Sequence, residues 1–294
     1  MLGLIEAGEV GFGDPLVVVS LVVGVVALAL FLLREARARA PLMPLGLFRS
    51  SDFSGANLLT FLLYGGLYGV LFFLPFNLIQ VQGYTATAAG AAQIPFIVLL
   101  SVLSPWAGGL VARYGPRPPL IVGPLLAALG LALYALPGQG GSYWTTFFPP
   151  TVVLGLGMAI TVAPLTTTVM SAAPSERSGT ASGINNAVSR IAGLLAVAVL
   201  GVVAVAAYSG ALSSALAEAQ IPPEYGEALL AQRTRLAATE IPANAPAAVQ
   251  EALRGIVTRS FVFAFRVLMI ICAALGAAAA VVTAIMVSGG RRET

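Results

Sequence analysis

Phe53-Ser-Gly-Ala-Asn57-Leu-Leu-Thr-Phe61-Leu-Leu-Tyr64-Gly-Gly-Leu-Tyr68-Gly-Val-Leu-Phe72-Phe-Leu-Pro75-Phe-Asn77 is a run without a single charged side chain. It is apolar on every face, and about 20 such residues suffice to cross ~30 Å of hydrocarbon as a helix. Six further runs share this character: Pro15 to Leu33, Ala88 to Val111, Pro118 to Leu136, Thr146 to Met170, Ala181 to Ala207 and Phe261 to Val287. A membrane β-barrel would alternate polar and apolar residues over ~10-residue strands. These runs do not alternate, so the expectation is an all-α membrane protein with seven transmembrane helices. The whole composition agrees, with 58% hydrophobic and 9% charged residues among 294, against about 25% charged in a soluble domain.

The net charge of +3 comes from arginine alone, because the chain has neither lysine nor histidine. Scattered arginines are no nucleic-acid footprint, which needs a clustered basic face. Without histidine, and with Cys272 alone in an apolar run, no zinc site, disulfide or cysteine–histidine pair can be assembled. No cofactor is expected, and no nucleophile, base and orienter constellation for an enzyme.

Short cytoplasmic loops are enriched in arginine. Arg34, Arg37, Arg39 and Arg49 follow the first run, Arg113 and Arg117 the third, Arg177 the fifth, and Arg291 and Arg292 the last, while the connections after the second and fourth carry none. The alternation places the carboxyl terminus in the cytoplasm and the amino terminus outside a cell membrane. The resulting domains are an outer loop 1–14, a first helix 15–33, a cytoplasmic loop 34–52, a helical unit 53–287 containing an outer loop 208–260, and a cytoplasmic tail 288–294. The outer loop reads as a polar cap or a recognition element, with short amphipathic helices at Glu224 to Ala238 and Ala247 to Val257.

The seven runs contain no Asp, Glu, His or Lys, so nothing in the membrane interior can bind and release a proton near neutral pH. Two arginines do lie within them. Arg266 is placed to snorkel to the headgroups, and Arg190, beside Asn185 and Asn186, either snorkels or acts inside the bundle. In the quoted run Asn57, Phe61, Tyr64, Tyr68 and Phe72 recur at steps of three and four, on one helix face. That face suits a flat organic molecule or packs against a neighbour. Gly157, Thr161, Pro164 and Thr168 share a face of the fifth run, where Pro164 permits a kink, beside a cavity or for purely structural reasons. Gly65 to Gly69 and Gly179 to Gly183 are GxxxG spacings that read as helix contacts.

Gly108-Gly-Leu110-Val-Ala-Arg113-Tyr-Gly115-Pro-Arg117 resembles the conformational loop motif of the major facilitator superfamily. Leu74-Pro75, Gly83-Tyr84-Thr85, Ala89-Gly90 and Pro95 are similar to a track of its fourteen-helix drug:proton antiporters. So are Gly155-Leu-Gly157, Ala163-Pro-Leu165 and Gly179-Thr-Ala-Ser-Gly-Ile-Asn-Asn186 through Arg190 and Gly193. Ala112 stands where the motif has aspartate, and Ile79 where the family usually has glutamine. The resemblance implies helices eight to fourteen of fourteen: one linker helix and a six-helix carboxyl-terminal domain, with the second, third, fifth and sixth helices lining a cavity and the fourth and seventh peripheral. It implies a missing amino-terminal half that carries the coupling carboxylate, and a small amphipathic organic substrate in a lipid-embedded exporter. Candidate cavity residues are Asn57, Phe61, Tyr64, Tyr68, Thr161, Thr168, Asn185 and Asn186. The alternative is a non-transporting membrane subunit, interaction protein or gene relic that retains half the fold.

Overall fold

The computed structural model describes residues 13–38, 41–219 and 221–288. Most of the amino-terminal segment, Arg39 and the arginines of the tail therefore lie outside the described residues. Helix α1, Pro15–Arg37, starts on a proline, with Asp14 accepting from the Leu16 amide at 2.8 Å. Helix α2, Ser51–Phe76, is capped by Ser50 and passes into a π turn, Asn77–Val81, just beyond Pro75. A proline in the last turn removes one amide from the ladder, and the wider turn follows directly.

The third run is two helices rather than one: α3, Ala86–Ala91, and α4, Ile94–Tyr114. The break falls where Pro95, which cannot donate, opens the first turn of α4. Gly115 ends α4 at φ 78°, a conformation that a Cβ would oppose. Helices α5, Arg117–Leu133, the short α6, Tyr143–Thr146, and α7, Phe148–Ser171, follow. Next come α8, Ser178–Glu218, α9, Pro223–Leu230, and α10, Ala247–Met286. Among the described residues six helical segments are long and apolar enough to cross a bilayer, and α5, at 17 residues, falls just short of that length. At 1.5 Å per residue it still spans ~26 Å.

The sixth and seventh runs are only parts of their helices. Helix α8 has 41 residues and α10 has 40, so the loop expected over 208–260 contracts to the segment between Glu218 and Ala247. Spacing explains the continuation. Tyr208, Leu212 and Leu216 are buried on α8, and Leu253, Ile256 and Val257 on α10, all in the same core as Leu229 of α9. Steps of three and four put each set on one helix face, so both helices go on burying apolar surface beyond the bilayer and form a folded cap.

In the bundle, α5 packs on α7 and α10, α2 packs on α10 and α8, and α4 packs on α7. Lipid is as apolar as leucine, so close backbone approach and polar contacts, not apolarity, hold such helices together. A Cβ on Gly157 of α7 would lie 2.3 Å from the Ala127 amide nitrogen of α5. One on Gly66 of α2 would lie 2.9 Å from the Cys272 carbonyl oxygen of α10. Of the two GxxxG spacings, Gly65 and Gly69 face α8 and α10, whereas a Cβ on Gly179 or Gly183 would meet no neighbouring helix within 4 Å. The second spacing is therefore not a helix contact in this structure; it opens onto the surface.

Candidate substrate face

The aromatic residues of α2 form a graded stripe. Phe61, Tyr68 and Phe72 are 38%, 36% and 43% exposed, Tyr64 is half-buried and Asn57 is buried. The Tyr64 and Tyr68 ring centroids are 6.4 Å apart. Tyr68 also leans on α8: a Cβ on Gly193 would lie 2.5 Å from its ring. Glycine at that position is what lets the ring lie against the helix backbone.

At the end of this face nearer the start of α2 the polar residues meet. Asn185 of α8 donates through Nδ2 to Asn57 Oδ1 at 3.2 Å and to Thr60 Oγ1 at 2.7 Å. Asn57 donates to the Phe53 carbonyl at 2.8 Å and Thr60 to the Ala56 carbonyl at 2.8 Å. Helices α2 and α8 are thus joined by an amide–amide–hydroxyl cluster. Thr60 is absent from the candidates read in the sequence; its signal is the three-residue step from Asn57. Asn186 and Arg190 are exposed on α8 beyond the cluster.

Thr161 and Thr168, also expected at the cavity, do not join this face. Thr161 is fully buried and donates to the Gly157 carbonyl at 2.7 Å, with its hydroxyl 2.2 Å from where a Cβ on Gly123 would stand. Thr168 is 4% exposed and donates to the Pro164 carbonyl at 2.8 Å. Both turn their hydroxyls back on α7, and Thr161 packs against α5. A small hydroxyl residue is what a close helix pair accommodates. Pro164 sits between them, buried in an α7 that continues through it.

The loop motif joins the end of α4 to the start of α5, on the same side of the bundle as the start of α2. Gly108 faces α7, with Ala163 Cβ 3.8 Å from where a Cβ would stand, and Leu110 is half-buried. Arg113 lies 5.2 Å from the Tyr114 ring centroid. Arg117 donates to the Ala284 carbonyl near the end of α10. Beside it, Asp52 accepts from the Ser288 amide at 2.7 Å and its hydroxyl at 2.8 Å, and Ser51 donates to the Met286 carbonyl at 2.8 Å. The starts of α2 and α5 thereby hold the end of α10, around a cleft of about 380 Å³. At the opposite end Gln82, near the Ile79 departure, donates to the Gly138 carbonyl at 2.8 Å and accepts from the Gly140 amide at 2.9 Å. Its amide holds the α5–α6 loop.

The described helices form a polytopic domain with one open aromatic face, a glycine-terminated basic loop and no carboxylate in its apolar runs. The Major Facilitator Superfamily matches residues 16–197, and this chain belongs to that family. It is 36% identical over 221 residues to the tetracenomycin C resistance and export protein of Streptomyces glaucescens, covering 75% of this chain and 41% of that one. It is 33% identical over 225 residues to the multidrug resistance protein Stp of Mycobacterium tuberculosis, with the same coverage. Identity to the puromycin resistance protein pur8 of Streptomyces alboniger is 34% over 209 residues, covering 70% and 41%. The chain thus spans about two-fifths of the length of these relatives. In fold it matches a bacterial homolog of the human lysosomal transporter Spinster, solved inward-facing and unoccupied, with a TM-score of 0.56, 16% identity, and 85% of this chain and 51% of that one covered.

Proposed function

We propose that this chain is the carboxyl-terminal half of an exporter of amphipathic organic compounds, working with a second six-helix domain by alternating access around a midplane site. The observation that carries the reading is the open face of α2 and α8. Three aromatic rings stand exposed beside a polar cluster, on a domain whose relatives bear names of antibiotic resistance and export. Rings in such a setting offer flat apolar area and attract cations, at ~0.5–2 kcal/mol per contact. Phe61, Tyr64, Tyr68, Asn57, Asn185 and Asn186 are the contacts in this reading, with α1 as the linker helix.

Coupling to protons belongs to the second domain, since the apolar runs of this chain contain no carboxylate. The protein sits in the cell membrane with the cap outside and residues 34–52 and 288–294 in the cytoplasm. The test is dye efflux from vesicles containing this chain with and without a related amino-terminal domain. Proton-driven efflux is expected only with both, and Tyr68→Leu reduces it about tenfold for a cationic dye, at two such contacts of ~0.7 kcal/mol each. Proton-coupled efflux by the single chain would refute the division of labour.

A further inference from the structure

Among the described residues Arg266 pairs with no anion. It lies within the last apolar run, is exposed, and donates one long hydrogen bond, 3.4 Å, to the Leu136 carbonyl at the end of α5. Among the described residues the ion pairs are Arg235 with Glu240 and Arg254 with Glu251, both in the cap. A guanidinium that snorkels to headgroup level meets lipid phosphates there. The apolar runs supply no carboxylate, and among the described residues no acidic side chain pairs with Arg266, which leaves its charge open to an anion from the membrane.

Next to it is a place for one. A cleft of about 380 Å³ is lined by Leu133, Leu136, Pro137, Thr146, Pro149 and Pro150, together with Gly138. A Cβ on Gly138 would lie 3.9 Å from the Arg266 guanidinium, so the cation stands at the cleft's edge. The cleft is apolar apart from two threonine hydroxyls, and both of these already donate to the Ser142 carbonyl. Pro149 and Pro150 belong to the first turn of α7 and add apolar surface to the cleft. Trp144, 66% exposed and with its ring tilted against Phe148 at 5.0 Å between centroids, is the residue type that sits at headgroup level.

We propose that Arg266 binds the phosphate of an anionic phospholipid in the leaflet on the cap side, with one acyl chain lying in the cleft. A zwitterionic lipid fits less well, because its own cation competes for the phosphate that Arg266 needs. The experiment is native mass spectrometry of the full chain released from vesicles of equal phosphatidylglycerol and phosphatidylcholine. Wild type is expected to retain one more phosphatidylglycerol than Arg266→Gln, and Arg266→Lys, which keeps the charge, to retain it too. Circular dichroism confirms that the variants fold, and the Lys variant separates loss of charge from loss of structure. Equal phosphatidylglycerol on wild type and Arg266→Gln would overturn the proposal, as would equal retention of the two lipids. Displacement of the lipid by millimolar glycerol 3-phosphate would overturn it as well, since the site would then be one for soluble phosphate.

Discussion

Helices α1 and α2 are both apolar spans, yet they behave oppositely. The apolar core of α1 is the more hydrophobic of the two, but only 6% of it is buried, against 56% for α2. In water the greasier helix would be the more deeply packed. In a bilayer the apolar side chain is already dissolved, so association follows from how closely two backbones can approach and from the hydrogen bonds they share. Helix α2 has Gly65, Gly66 and Gly69 against its neighbours and Asn57 and Thr60 for Asn185. Helix α1 presents mostly bulky valine and leucine, and a Cβ added to its Gly24 would meet nothing within 4 Å.

The largest expected effect separates these two kinds of helix directly. Gly157→Leu drives a side chain into the α5 backbone and should destabilise the domain by about 3 kcal/mol or more, seen as aggregation or a collapsed melting temperature in detergent. Gly24→Leu, in the unpacked helix, should leave that temperature unchanged; an equal loss at both positions would break the comparison. Next comes the polar cluster. Asn185→Leu should cost ~1–2 kcal/mol, and a double-mutant cycle with Thr60→Val should give a coupling of about 1 kcal/mol. A coupling near zero would mean that α2 and α8 are held by their small residues alone.

Asp52→Ala removes both bonds to Ser288 and should cost ~1–2 kcal/mol, read as faster amide exchange confined to residues 284–288. The smallest effect is expected at Gln82→Ala. It frees the loop at Gly138 and Gly140 for ~0.5–1 kcal/mol, with quicker proteolysis there and no change in the bundle.

Much of this architecture is legible in the residues because a span must be long, apolar and uncharged, and few other sequences are. The boundaries were less so. The extensions of α8 and α10 beyond their apolar runs bury a weak pattern of Tyr208, Leu212 and Leu216 against Leu253 and Ile256. Once the apolar run ends, that pattern is indistinguishable from a polar loop until the partner face is known. The candidate site divided in the same way. The stripe on α2 follows from spacing alone, and the link of Asn57 to Asn185 needs the tertiary contact. Thr161 and Thr168 share a helix face with Gly157 and Pro164, and only the tertiary structure shows their hydroxyls turned back onto α7, with Thr161 against Gly123 of α5.

The unbroken length of α8 has a mechanical side. Taking Leu194 as the middle of its apolar run, Glu218 lies ~36 Å further along the axis at 1.5 Å per residue. A stiff rod of that length is a lever: a turn of about 10° at the membrane centre sweeps its tip through roughly 6 Å. Helix α10 reaches the same height beside it, and the packed side chains between them make the two a single arm. Whatever motion the bundle performs inside the bilayer is therefore displayed, magnified, in the aqueous phase, where a single fluorophore on α9 could read it.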